Sequence, residues 1–372
     1  MFAPFVLPGE RIRAQAEQEK PRLVRARMLE VLDAAPDRVT PPCPVFGVCG
    51  GCHYQHAPYE FQLEAKRQIL REELRRLGKI EAPEEIATVS AEAFGYRNRV
   101  QLHVEETRLG YREARSHRLV SVNGCPVASP KVEQAIAALN RMARDSRWPR
   151  FMRSLEIFTD EQQVQINVLE TERPVARRFF DWCGSEIEGV VEGALDYRGD
   201  FRVSSNSFFQ VNRFLVDRLV EVALADAQGD SATDLYAGVG LMSLPLARRF
   251  ASVTAIESGA GAVRDLWFNA ERADLTNVQA LQQTAEEHLS QLEQAPDFMV
   301  ADPPRAGLGK GVVTRLAELK PRRLVIVACD PATLARDLAG LLAAGYQIEQ
   351  MTLVDLFPQT YHVETVIHLQ IR

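Results

Sequence analysis

The six cysteines of this 372-residue chain divide by placement into two chemistries. Cys43, Cys49 and Cys52 form a C-x5-C-x2-C run within Cys43-Pro-Val-Phe-Gly-Val-Cys-Gly-Gly-Cys52, and Cys125 follows in a separate Gly-Cys-Pro turn. These four supply enough thiolates for zinc or for an iron–sulfur cluster. Zinc sites usually pair two short knuckles, so a solitary fourth cysteine favours a cluster, although spacing alone does not decide. Cys183, in Asp-Trp-Cys-Gly, has no partner and reads as packing. Cys329 stands apart, closing the apolar run Leu324-Val-Ile-Val-Ala just before Asp330-Pro331 and a helix. A thiol beside a helix N-terminus has its pKa lowered, which favours the nucleophilic thiolate. Without such neighbours a lone cysteine in an apolar strand is most often core.

Two further features belong to proton transfer and nucleotide binding. Glu364, in Thr360-Tyr-His-Val-Glu364, sits in an apolar segment entering a strand, where burial raises a carboxyl pKa toward the range of a general base. Asp234-Leu-Tyr-Ala-Gly-Val-Gly240 places Gly238 and Gly240 between a strand and a helix, where backbone approaches a ligand closely. Glu257 ends the next strand, positioned for ribose hydroxyls, and Asp302-Pro-Pro304 adds a polar group at the same carboxyl edge. The absence of G-x-x-x-x-G-K-[ST] argues against phosphoryl transfer. The missing third glycine argues against a nicotinamide dehydrogenase domain.

The elements that must position these residues fall into four regions. Residues 1–40 form a short β module, with strands at Pro4–Leu7 and Arg22–Leu32. Residues 41–80 hold the cysteine loop and a helix over Tyr59–Leu77, with Lys66, Arg67, Arg71, Arg75 and Arg76 on its polar face and Gly78 ending it. Residues 81–200 read as α+β, with strands near 99–104, 109–112, 119–122, 154–158 and 163–168 and helices near 130–144 and 172–182. From 201 to 372 strands and helices alternate. The strands Thr233–Tyr236, Val253–Ile256, Phe298–Ala301, Arg323–Ala328, Thr352–Asp355 and Val363–Ile371 are nearly continuous in apolar character, as in a parallel sheet covered on both faces.

Net charge is −6, unevenly spread. Arg97 to Arg153 holds twelve Lys/Arg against five Asp/Glu, leaving −13 elsewhere, and Arg141, Arg144, Arg147, Arg150 and Arg153 recur every third residue. Such a segment is either a phosphate-contacting face or a solvated surface. No apolar run is long enough to span a membrane, and the N-terminus lacks the basic and apolar regions of a signal peptide.

The D-L-Y-A-G-V-G, A-I-E and D-P-P series resembles the class I S-adenosylmethionine-dependent methyltransferases, a Rossmann-like α/β fold in which a final antiparallel strand inserts in the sheet. Phe208-Phe-Gln-Val-Asn212, Asp302-Pro-Pro-Arg-Ala-Gly307, Ala328-Cys-Asp-Pro-Ala-Thr-Leu-Ala-Arg-Asp337, Phe357-Pro-Gln-Thr-Tyr-His-Val-Glu-Thr-Val366 and the cysteine run together resemble the RNA (uracil-C5)-methyltransferase family, in its iron–sulfur branch. The resemblance implies that Cys329 adds to uracil C6, that Glu364 removes the C5 proton, and that Gln210, Tyr236, Glu257 and Asp302 hold the methyl donor, with Thr284 near the adenine. It implies a 4Fe–4S cluster on Cys43, Cys49, Cys52 and Cys125. It further implies a cytoplasmic, monomeric enzyme whose substrate is 23S ribosomal RNA, or alternatively transfer RNA. Leu7-Pro-Gly-Glu-Arg-Ile-Arg-Ala resembles only the later part of the family's RNA-binding TRAM-like barrel. The competing expectations are methylation of cytosine or adenine, and a non-catalytic RNA-binding or assembly factor. Intact Cys329 and Glu364 argue against the last.

Overall fold

The computed structural model describes residues 2–371. Strands β1 (Arg11–Lys20) and β2 (Leu23–Asp33) pair antiparallel as a two-stranded sheet. Pro4–Leu7 is not a strand; the first strand lies instead over Arg11–Lys20, which sequence reading passed over. There Ile12, Ala14 and Ala16 alternate with charged or polar residues that stay exposed, so the pattern carries little apolar signal. Two strands alone bury too little to be independently stable.

Helix α1 (Tyr59–Glu73) follows the cysteine loop and continues into a wide turn over Leu74–Gly78. Gly78 is required there, because a Cβ would lie 2.8 Å from the Ala335 carbonyl oxygen. Lys66, expected on the polar face, is fully buried. Strand β3 (Ala87–Val89) also departs from expectation, since it joins the large C-terminal sheet rather than the central region.

The central sheet comprises β4 (Arg99–Glu105), β5 (Arg108–Arg112), β6 (Leu119–Ser121), β7 (Met152–Thr159), β8 (Val164–Thr171) and β9 (Val190–Val191), in the order β6-β5-β4-β7-β8-β9. Helices α2 (Pro130–Met142) and α3 (Arg177–Glu186) cover it, with Ile136, Leu139 and Phe179 packed among Leu102, Leu155 and Ile157. Cys183 belongs to this core. The arginine series does not lie along one helix face, because α2 ends at Met142. All five arginines are exposed, but Arg147 pairs with Asp145 and Arg153 with Glu172.

After the hairpin β10 (Leu195–Tyr197) and β11 (Phe201–Val203), strands and helices alternate. In order they are α4 (Val216–Ala223), β12 (Ser231–Leu235), α5 (Ser243–Ala247), β13 (Ser252–Glu257), α6 (Ala260–Arg272), β14 (Val278–Gln282) and α7 (Ala285–Gln291). There follow β15 (Phe298–Ala301), α8 (Gly309–Leu319), β16 (Arg323–Ala328), α9 (Pro331–Ala343), β17 (Tyr346–Val354) and β18 (Thr365–Ile371). The eight-stranded sheet runs β14-β13-β12-β15-β16-β18-β17-β3, with β18 antiparallel to both its neighbours. Burial on both faces explains the unbroken apolar strands. In β16, Leu324, Ile326 and Ala328 face the core shared with α1, α8 and α9, whereas Val325 and Val327 face the core on the α4 side.

Candidate functional site

The chain passes from β12 outward to β13 and β14, then returns to β15 on the other side of β12. That reversal opens a crevice at the carboxyl edge, where ligands of such sheets bind. Tyr236 follows β12, Glu257 ends β13, Asp302 follows β15 and Cys329 follows β16. Glu364 enters the same edge from the opposite direction, directly before the antiparallel β18. The topology therefore gathers residues far apart in sequence without any long loop having to carry them.

Backbone geometry shapes the β12 end. Tyr236 has φ 65°, an uncommon conformation for a bulky residue and one that clusters at functional sites. Gly238 has φ 54°, and nothing lies within 4 Å of where its Cβ would stand, so the turn leaves open space. Its N–H donates to Glu257 Oε2 at 3.0 Å, and the Gly259 N–H donates to Glu257 Oε1 at 2.6 Å. Beneath them Asp234 is buried and accepts from the Ser243 hydroxyl at 2.5 Å. The Gln210 side-chain amide donates to Asp302 Oδ2 at 3.4 Å. The open turn, the carboxylate beside it and the Gln210–Asp302 pair fit a ligand that brings hydroxyl and amine groups. Thr284 is engaged differently. It caps α7, accepting from the Glu287 N–H, while its own N–H and hydroxyl donate to the Glu287 carboxylate at 2.8 Å each.

The carboxyl groups here are unusual. Burial pushes Asp234 up to about 7, with the charges of Asp302 and Glu257 adding to the effect. Asp302 is half-buried as a residue, yet its carboxyl is enclosed, and burial pushes it up to about 7 as well. Glu364 is raised well above the ordinary carboxylate range by burial and then by Asp302, with Arg305 opposing. The rise expected for Glu364 is therefore present. The fall expected for Cys329 is not, because burial, Glu364 and Asp302 push its thiol up to about 11 against the pull of Arg305. The start of α9 does not reverse this, because Asp330 accepts from the Ala332 and Thr333 N–H groups at 3.0 and 2.8 Å and occupies the donors a thiolate would use. A thiol, an enclosed carboxyl and a guanidinium are together groups that can add sulfur to an electron-poor carbon and exchange a proton with its neighbour.

Cys43, Cys49, Cys52 and Cys125 line one cavity of about 310 Å³. Arg305, Phe357, Thr360 and His362 also line it, and Arg305 connects it to the thiol–carboxyl site. Burial raises the thiols of Cys49 and Cys125 and takes Cys52 up to about 12, with the other cysteines adding to the rise. Gly50, Gly51 and Gly124 line the cavity without filling it. The buried Nδ1 of His53, also in the lining, has no hydrogen-bond partner. Among the described residues no three His, Cys, Asp or Glu side chains gather closely enough to hold one metal ion. A tetrahedral zinc with ligands at ~2.3 Å needs sulfurs roughly 3.8 Å apart. The four thiols thus surround a space rather than a point.

Sequence reading missed Arg305, Asp234 with Ser243, and the contact of Lys66 with Asp355. Arg305 was visible in Asp302-Pro-Pro-Arg305, since a guanidinium just past a strand end faces the crevice. Asp234 had a signal in being a carboxylate inside an apolar strand. Lys66 had none.

Residues 194–372 match the family described as tRNA (Uracil-5-)-methyltransferase. The 23S rRNA (uracil(1939)-C(5))-methyltransferase RlmD of Cronobacter sakazakii is 34% identical over 98% of this chain and 90% of its own length. The protein of the same name from Halomonas elongata is 32% identical over 100% of this chain and 84% of its own. Among solved structures, Pyrococcus abyssi tRNA (uracil-54, C5)-methyltransferase in complex with S-adenosyl-L-homocysteine superimposes with a TM-score of 0.77 at 25% identity, covering 99% of this chain and 95% of that one.

Proposed function

Because the chain belongs to the RNA (uracil-C5)-methyltransferase family, we propose that it methylates C5 of a uridine in 23S ribosomal RNA. The observation that carries this reading is the meeting of Cys329, Asp302, Arg305 and Glu364 at one edge of the sheet. The RNA class follows the relatives named for 23S ribosomal RNA, which match over the whole chain. Likeness to the Pyrococcus transfer-RNA enzyme supports the alternative substrate.

S-adenosylmethionine supplies the methyl group as an electrophile, and Gln210, Tyr236, Glu257 and Asp302 are the residues that would hold it. Thr284 is the weaker candidate, since its hydroxyl already caps a helix. Uracil C5 is a poor nucleophile unaided. Addition of the Cys329 sulfur, as thiolate, to C6 converts the ring to an enolate, whose C5 would take the methyl carbon as the S–CH3 electron pair stays on the donor sulfur, leaving S-adenosylhomocysteine. The ionised Glu364 then takes the C5 proton. The C5–H electron pair becomes the C5=C6 double bond, and the C6–S pair leaves on Cys329. Burial makes Glu364 a stronger base than an ordinary carboxylate.

We read the four remaining cavity cysteines as ligands of a 4Fe–4S cluster that acts as a staple. Each thiolate of such a cluster binds its own iron, which suits four sulfurs spread around a cavity better than a single-ion site would. The methyl transfer itself needs no redox step.

The test is mass spectrometry of ribosomal and transfer RNA from a strain lacking the gene. One 5-methyluridine should disappear from 23S ribosomal RNA. Loss from transfer RNA alone would move the substrate to that class, and unchanged uridine methylation in both would overturn the reading.

A further inference from the structure

Helix α1 is tied to the residue after β17 by an ion pair with no access to water: Lys66 Nζ lies 2.5 Å from Asp355 Oδ1, with both side chains buried. Lys66 also donates to the Phe357 carbonyl at 2.9 Å, and the Tyr59 hydroxyl donates to Asp355 Oδ2 at 2.7 Å. Burial weakens Lys66's hold on its proton, and the adjacent carboxylate partly restores it. Replacing a buried ion pair by apolar side chains of similar volume is often neutral or stabilising, so stability alone does not account for this one. Docking of α1 does not require it either, since Leu70 and Leu74 already sit in the core shared with α9. What the pair does hold is the segment 355–364.

That segment is the loop between β17 and β18, and Asp355 and Glu364 are its two ends. The Val354 N–H donates to the Glu364 carbonyl at 2.9 Å, closing the loop one residue from Asp355. The loop is gripped again at its tip. Gln359, at φ 66°, donates its N–H to Gln62 Oε1 at 2.9 Å, and its carbonyl accepts from the His53 and Tyr54 N–H groups at 2.7 and 3.0 Å. A shift of Asp355 would therefore pass directly to the carboxylate that faces Cys329.

We propose that Lys66, acting through Asp355 and assisted by Tyr59, is a positioning residue that sets the placement of Glu364 for removal of the C5 proton. This rests on the reading of Glu364 as the base. The step affected is release: the proton passes to Glu364, the C5–H pair forms C5=C6, and the C6–S pair departs with Cys329.

The test uses Lys66→Met with Asp355→Leu, which replaces both charges by apolar groups and leaves neither buried alone, beside Tyr59→Phe and Glu364→Gln. Single-turnover reactions on uridine-containing RNA separate adduct formation from release. In the double variant, donor affinity, melting temperature and adduct formation should stay near those of the parent. Release should slow by roughly 10²-fold, the cost of about 1 Å of misplacement. Tyr59→Phe should slow release several-fold. A double variant that releases at the parent rate overturns the proposal, as does one in which formation and release fall together with the melting temperature. Should the double variant not fold, parent-rate release in Tyr59→Phe overturns it alone. Glu364→Gln keeps the two readings apart. Slow release there with normal brace variants removes only the brace, whereas parent-rate release there removes the base and the brace with it.

Discussion

Cys329 and Cys52 have much in common as isolated groups. Each thiol is partly enclosed, and burial pushes it up, to about 11 and about 12 respectively. Their surroundings differ completely. Cys329 faces two carboxyl groups and a guanidinium at the end of a β-strand, whereas Cys52 faces three other thiols and glycines across a cavity. Burial alone therefore says nothing of a cysteine's task, and the neighbours say nearly everything. A thiol among acid–base groups can add to carbon and be expelled again, while a thiol among thiols can only share a metal centre or oxidise.

The sharpest way to break this contrast is to remove one sulfur from each place. Cys329→Ala should abolish methyl transfer and lose the SDS-resistant adduct with 5-fluorouridine RNA, while leaving iron content and melting temperature as in the parent. Cys52→Ala should do the reverse. The parent, purified without oxygen, should be brown with about four iron and four sulfide per chain, and Cys52→Ala should lose that colour and melt earlier. Stoichiometric zinc without iron in the parent would overturn the cluster reading, and an adduct formed by Cys329→Ala would overturn the nucleophile.

A smaller effect separates the regions by pH. Unfolded aspartate gives up its proton near 3.8, whereas folded Asp234 keeps it to about 7. Between those values the native state holds more protons, so stability falls as pH rises through the window and levels off above it. Asp234→Asn should flatten this slope by up to about 1.4 kcal/mol per pH unit, measured as unfolding free energy in urea at pH 4.5 and 7.5. An unchanged slope would mean that Asp234 is no source of pH sensitivity at the sheet edge.

The smallest effect concerns Thr284. Thr284→Ala removes the capping box of α7 and should cost about 1 kcal/mol. Donor affinity by calorimetry should not change if capping is its whole role, and a tenfold loss would restore it to the adenine site.

The large sheet was legible because its strands are buried on both faces, so Phe298–Ala301 and 324–328 read as continuous apolar runs with the polar residue falling just past each end. The antiparallel last strand, expected from family resemblance, is where it was expected. Lys66 was illegible because a helical pattern scores every lysine as solvent-facing, and only a distant carboxylate reveals the exception. β3 is three residues long, too short to carry a periodic signal, and its place depends on an edge formed by β17. The Cys329 thiol is raised rather than lowered because burial, and then the carboxyl groups that tertiary structure brings beside it, outweigh the start of α9.

β18 is wedged between β16 and β17, although both precede it in the chain. The five strands from β14 to β16 can pair with one another as they are made, but β17 has no partner in that group until β18 fills the gap. Glu364 directly precedes β18, so the strand that completes the sheet also brings that carboxyl to the edge where Cys329 lies. The sheet is thus closed at its middle rather than at an edge, and β17 and β3 join the other five strands only through β18.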